Sequence, residues 1–321
     1  MFLNTHRAAL TALKNLCDSK GTSHNLHKLI WVDIKQPLVR NAILEHFQRE
    51  SISLNTGHKA RPRKILSDVD DTLFSSGGFF PAGVDTAYPR HVLYPGVLAF
   101  YRELDFAAVR ASSDDLAGVS PAQDVTLDPH HRSLANLVFL SARPRTYQDR
   151  SERHQYDTFA VLQRTHGLHS RPTLLAGDLR SGLSLMSGDA EPVALKKLLN
   201  FQQYASLYPE YSFVFVGDNG QGDVRLGELL KEAYDCCSHS ETAPTANASG
   251  TIDIDVQVSH EYRRQVDQKV VVFIHQVQQV SSTPGYWQRA DTSADQSIED
   301  AFTFWRSMGI CFFTTYIGAA V

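Results

Sequence analysis

Apolar positions gather in short runs at residues 64–67, 137–140, 173–175, 213–216, 270–274 and 309–313, each rich in β-branched and aromatic side chains. Between them the spacing of apolar residues lengthens to a helical period. That alternation predicts an α/β fold with a mostly parallel sheet and helices on both faces. The runs show little polar alternation, as expected of strands covered on both sides. Ahead of the first run, Pro37 opens a segment carrying Val39, Ile43 and Phe47 at i, i+4 and i+8, and His6, Arg7 and Lys14 alternate with Leu10, Leu13 and Leu16. Residues 1–60 are therefore expected to be a helical lead-in to a domain over 61–321, and the first helix to be amphipathic rather than a signal peptide.

Three stretches break the pattern. Residues 77–96 are rich in Gly, Pro and aromatics and stand between the first strand and a helix predicted from Val97 to Leu104, so they read as a small flap. Polar insertions near 107–133 and 235–268 read as long surface loops. Within the second, residues 252–258 alternate Ile-Asp-Ile-Asp-Val-Gln-Val and predict a half-exposed edge strand.

A formal charge of −4 gives no basic excess, so nucleic acid is not an expected partner. The longest aliphatic and aromatic run, 270–274, is far short of the roughly 20 residues of a membrane span. Cys17, Cys236, Cys237 and Cys311 have no C-x-x-C spacing and are too few for a disulfide framework. Reduced thiols and a cytoplasmic location are the expectation, with peripheral contact with membranes left open.

The candidate chemistry sits at strand ends. The first strand runs into Asp68-Val69-Asp70-Asp71-Thr72, and the C-terminal edge of a parallel sheet is where α/β folds bind ligands. Asp68 and Asp70, two apart on extended backbone, project to one side. Carboxylates so placed repel unless a hard cation such as Mg2+ neutralises them. Ser141 ends the second strand, where a hydroxyl can donate to a phosphoryl oxygen. In the helix 193–205, with its stripe of Ala194, Leu198, Phe201 and Ala205, Lys197 falls roughly 70° from the stripe's centre and Lys196 roughly 170°. Lys197 can reach inward, and Lys196 is expected to face water. The fourth strand runs into Gly217-Asp218-Asn219-Gly220-Gln221-Gly222-Asp223, where Asp218 and Asp223 can complete a metal shell. As a dinucleotide fingerprint this loop fails, because Arg225 occupies the third small position.

Taken in order, the Asp68-to-Thr72 motif, Ser141, Lys197 and Gly217-Asp218 through Asp223 resemble the four signature motifs of the haloacid dehalogenase superfamily. The resemblance implies a Rossmann-like fold with a small flap in place of a large cap. It implies Asp68 as nucleophile, Asp70 as acid/base, and a Mg2+ site built from Asp68, the Asp70 carbonyl and Asp218, with Asp223 beside it. It further implies Ser141 and Lys197 in catalysis, and Thr72, Arg143 and Gly217 around the substrate. Asp70 points to phosphomonoesters, since dehalogenases lack this acid and transport ATPases carry threonine.

Leu66 to Thr72, Tyr94-Pro95-Gly96, Leu140-Ser141-Ala142-Arg143-Pro144, Tyr208-Pro209-Glu210-Tyr211 and Thr314 to Ala320 also look like the catalytic domain of the actin-patch-associated phosphatidate phosphatases, distant relatives of lipins. This implies hydrolysis of phosphatidate to diacylglycerol at a membrane surface. The chain departs from the fungal form at Asn219 and in its two insertions. It stops at Val321 just after the last match, as a fragment or truncated gene model would. The alternatives are a phosphatase for a soluble metabolite or phosphoprotein, and a phosphatidate-binding module without catalysis.

Overall fold

The computed structural model describes residues 1–22, 24–55, 61–79, 83–114, 136–144, 150–177, 191–235, 269–286 and 294–319. The six strands expected from the apolar runs are all present: β1 (Arg63–Asp68), β2 (Leu137–Pro144), β3 (Thr173–Gly177), β4 (Ser212–Asp218), β5 (Val270–His275) and β6 (Ile310–Phe313). They form one sheet in the order β3-β2-β1-β4-β5-β6, and every pairing is parallel. This is the doubly wound order in which the chain first builds leftward from β1 and then rightward from β4.

Among the described residues the α-helices are α1 (Arg7–Asp18), α2 (Pro37–Asn55), α3 (Val97–Asp114), α4 (Arg150–Thr165), α5 (Glu191–Leu207), α6 (Asp223–Asp235), α7 (Ala294–Ser307) and the short α8 (Tyr316–Ala319). The absence of polar alternation in the strands has a direct cause, because successive residues are shared between two cores. Leu66, Val138, Leu140, Phe213 and Phe215 pack with Phe201, Tyr204, Leu230 and Trp305 on one face. Ile65, Leu137, Phe139, Val214 and Val216 pack with Phe100, Tyr101, Phe159 and Tyr316 on the other.

Two expectations need adjustment. The helix expected to end at Leu104 runs on to Asp114, ten residues further and into the stretch read as a polar insertion. Ala107, Ala108, Arg110 and Ala111 are helix formers, and a polar face does not stop a helix. Lys196, expected to face water, is half-buried. The expected edge strand at 252–258 and most of both insertions lie outside the described residues.

The lead-in is fastened to the sheet by buried charge rather than by apolar contact alone. Lys14 on α1 is 2.8 Å from Glu210 and also donates to the Leu207 carbonyl at 2.8 Å. Lys64 on β1 donates to Asn15 Oδ1 at 3.0 Å and lies 3.8 Å from the centre of the Tyr208 ring. Asp18 accepts from the Tyr204 and Tyr208 hydroxyls at 2.9 and 2.7 Å and from the Leu26 N–H at 2.8 Å. Burial pushes Lys64 down to about 7 against the pull of Asp18 and Glu210. Among the described residues no helix is long and apolar enough to cross a membrane.

Candidate active site

Strand order reverses between β1 and β4, and the crevice this leaves beyond their C-terminal ends is where doubly wound sheets bind ligands. Asp68 is the last residue of β1 and Asp218 the last of β4. Ser141 follows Leu140, the residue of β2 registered with Asp68, and is buried. Asp223 begins α6 and closes the β4 loop back on itself, with its Oδ2 3.4 Å from the Asp218 N–H.

Asp68, Asp218 and Asp223 each offer an oxygen within 4.8 Å of the others, and all three are buried. Lys197 reaches into this group from α5: its Nζ lies 2.9 Å from Asp68 Oδ1 and 2.5 Å from Asp223 Oδ1. The helical arithmetic therefore placed the right lysine inward. One ammonium does not balance three carboxylates. Burial pushes Asp68 up to about 7; Lys197 opposes the rise, while Asp223 and Asp70 add to it. Asp218 is driven well up by burial and then by Asp223, Asp68 and Asp71. Burial alone would lower Lys197, yet Asp223 and Asp68 outweigh it and the ammonium holds its proton more tightly than usual. A divalent cation fits this donor set: all ligands are hard oxygens, and the uncompensated negative charge is what such an ion removes.

The roles within the set separate. Asp223 gives one oxygen to Lys197 and its other to the Asp218 N–H, so it orients the lysine as well as bracing the end of β4. Asp218 Oδ1 accepts from the Gly220 N–H at 2.6 Å. Asp70 is half-buried, and its carboxylate lies outside the three-oxygen cluster while remaining close enough to raise Asp68. Gly217 is required sterically, because a β-carbon there would stand 2.5 Å from Asp223 Oδ2. The Thr72 hydroxyl is buried and has no hydrogen-bond partner among the described residues, which leaves it a donor for a bound oxyanion. Arg143 belongs to β2 by its backbone, and its side chain lies outside the described residues.

Three residues matter in ways the sequence reading missed. Asp71, quoted only as part of the acidic motif, is a clip: Oδ1 accepts from the Ser76 N–H at 2.7 Å, and Oδ2 from the Val84 and Asp85 N–H groups at 2.6 and 3.0 Å. It adopts φ 56°, unusual outside glycine, and so turns the chain off the sheet. The start of the segment between β1 and α3 is thus tied to Ser76, Val84 and Asp85 further along it. Gly83 permits it, since a β-carbon there would fall 2.1 Å from Asp71 Oδ2. His275, opposite Asp218 in the register, meets the Asp71 carbonyl at 3.2 Å, and burial lowers its basicity. Asn219 points away from the acids: its Oδ1 accepts from Val277 and Gln278, and its Nδ2 donates to Gln278 and Thr283.

For any reaction carried out at this centre, Lys197→Met is expected to lower turnover at least ~100-fold, the scale of losing a preorganised electrostatic contact, whereas Lys196→Met changes it less than about twofold. Steady-state rates on both variants, with folding checked by circular dichroism, decide this. Equal losses would remove Lys197 from its special position.

The fold and site define an α/β protein with an acid and lysine centre at the switch point of a doubly wound sheet. No family model matches the chain, and no curated protein or solved structure matches it.

Proposed function

We propose that this chain is a Mg2+-dependent phosphomonoester hydrolase of the haloacid dehalogenase type. The observation that carries the proposal is the convergence of Asp68, Asp218 and Asp223 on Lys197 at the ligand edge of the sheet. The ordered motifs around those residues support it.

Asp68 and Asp218, with Asp223 alongside, would hold the ion. When bound, Mg2+ supplies charge neutralisation to the carboxylates and to the phosphoryl oxygens. Asp68 Oδ attacks phosphorus, and the bond from phosphorus to the ester oxygen breaks. Asp70 delivers its proton to that oxygen, which leaves as an alcohol. Lys197, Thr72 and Ser141 offset the charge of the transferring group. Asp70, now ionised, removes a proton from water, whose oxygen attacks the aspartyl-phosphate. The bond to Asp68 breaks, phosphate leaves, and Asp70 ends protonated as it began.

Phosphatidate is the substrate we favour. Phe79 is 60% exposed on the segment that Asp71 clips, with the Arg90 guanidinium 4.3 Å from its ring centre. Tyr88 and Val92 on the same segment are exposed as well. An apolar rim bearing a cation suits the boundary between phospholipid headgroups and acyl chains. Phe80 and Pro81, the next residues of the flap, lie outside the described residues. A cytoplasmic enzyme recruited peripherally to membranes follows from this reading.

The test is phosphate release from phosphatidate in mixed micelles beside lysophosphatidate, glycerol phosphate, sugar phosphates and a phosphopeptide, each with Mg2+, Ca2+ or chelator. Turnover is expected with Mg2+ alone, fastest on phosphatidate, and abolished by beryllium fluoride. Magnesium holds octahedral oxygen ligands at about 2.1 Å, while calcium takes longer bonds and misplaces the nucleophile. Activity in excess chelator would sink the mechanism. A faster soluble substrate would sink the lipid assignment, and phosphatidate binding without turnover would make the chain a lipid-binding module.

A further inference from the structure

Far from the acids, His6, His46 and Glu50 each offer one ligand atom within 4.8 Å of the other two. His46 and Glu50 are four apart on α2, so they share a face of that helix. His6 is the residue immediately ahead of α1, and its Nδ1 lies 2.9 Å from Glu50 Oε1. The His6 and His46 rings meet edge to face with centroids 5.2 Å apart.

An ion pair between His6 and Glu50 accounts for one of these contacts and leaves the rest unexplained. His46 Nε2 is 2.9 Å from the Thr5 carbonyl. A carbonyl only accepts, so Nε2 carries the hydrogen and Nδ1 carries the lone pair. A ring locked in one tautomer by a backbone carbonyl is the arrangement that metal-binding histidines show. Glu50 is held in the same way, since its Oε2 accepts from the Arg7 N–H at 2.7 Å. Arg7 takes φ 52° at this turn, a left-handed conformation uncommon for a residue with a side chain. Two ligands thus have an outer layer of support, and the third has open space around it: the His6 side chain is 62% exposed.

We propose that His6, His46 and Glu50 form a second metal site, for a divalent transition ion of the zinc type, that ties the start of α1 to α2. Two imidazoles and one carboxylate are the donors Zn2+ prefers, whereas Mg2+ selects oxygen alone. Tetrahedral Zn2+ with bonds near 2.0–2.1 Å places its ligands about 3.4 Å apart. A swing of the exposed His6 ring supplies the closure, and water takes the fourth position. The site is independent of the reaction at Asp68.

Zn2+ titrated calorimetrically into the metal-free full chain, in saturating Mg2+, tests this. One Zn2+ per chain is expected at micromolar affinity or tighter. Loss of a ligand in His6→Ala or Glu50→Gln should weaken it at least ~10-fold, given that even outer-layer partners are worth 10-fold or more. Asp218→Asn and His24→Ala, which alter the acid site and an unrelated exposed histidine, should leave it unchanged. Zn2+ should also raise the melting temperature of the wild type and not of His6→Ala. Because His6 is exposed, that variant folds and keeps the test decisive. No binding at about 100 μM Zn2+, unchanged binding in His6→Ala, or loss in Asp218→Asn would each overturn the site.

Discussion

Asp68→Asn is expected to leave a folded chain without detectable phosphatase activity, below about one per cent of wild type. An amide oxygen is a poor nucleophile toward phosphorus and a weaker ligand for a hard cation, so both the covalent step and ion binding suffer together. The substitution preserves shape, and it removes one of three crowded carboxylates, so stability should not fall. The sign of the pH effect sharpens the prediction. Asp68 is raised from 3.8 to about 7 in the fold, so between those values the native state holds a proton that the unfolded chain has lost. Its contribution to stability is therefore full at low pH and lost as pH rises toward 7. Metal-free Asp68→Asn should show a smaller decline, the remainder coming from Asp218, which burial and its acidic neighbours also raise. Denaturant midpoints at pH 5 and pH 8, with phosphate release in parallel, check both halves. Appreciable turnover by a folded, Mg2+-loaded variant would move the nucleophile elsewhere.

Asp70→Asn should lower turnover on alkyl phosphates by roughly 100-fold or more, the range of a lost general acid/base, while Mg2+ binding persists. Asp70 is half-buried where Asp68 is buried, so on the proposed mechanism it is the acid able to exchange protons with water between the two half-reactions. Aryl phosphates have leaving groups that depart with little protonation, so their phosphoryl transfer to Asp68 should suffer much less. Burst kinetics on an aryl substrate would then show rapid release of the phenol followed by slow hydrolysis of the aspartyl-phosphate, since water still lacks its base. Equal losses on alkyl and aryl esters, with no burst, would count against the assignment.

What was legible in the sequence is what depends on local period. The strands announced themselves because both faces are covered, so apolar runs such as Phe213 to Val216 needed no partner to be recognised. Lys197 was legible for the same reason, since one helix and an angle of 100° per residue suffice to place it. Distant contacts left no such trace. Asp71 reads as one more acid in a run, and its role as a clip depends on N–H groups of Val84 and Asp85 that reach it only after the chain has looped out and back. His275 meets the Asp71 carbonyl across 204 positions of sequence. Asn219 was visible as a departure from a motif, yet its partners lie at Val277, Gln278 and Thr283. The length of α3 was misjudged because polarity was taken as a stop signal, when only capping and backbone breakers end a helix.

The charges beneath the sheet bear on where an autonomous folding unit can begin. Lys14 and Asp18 come from α1, while Lys64 and Glu210 come from the strand and turn that α1 covers. Removing one member of such a buried set costs about 3–5 kcal/mol because its partner stays behind without compensation. Cutting the chain between the lead-in and β1 would do this at several points together. It would strip Glu210 of Lys14, Lys64 of Asn15, and the Tyr204 and Tyr208 hydroxyls of their shared acceptor. A boundary at residue 60, natural to the eye that scans for the first strand, would divide a single electrostatic unit. Any shortened version of this protein that is to stand alone has to keep α1.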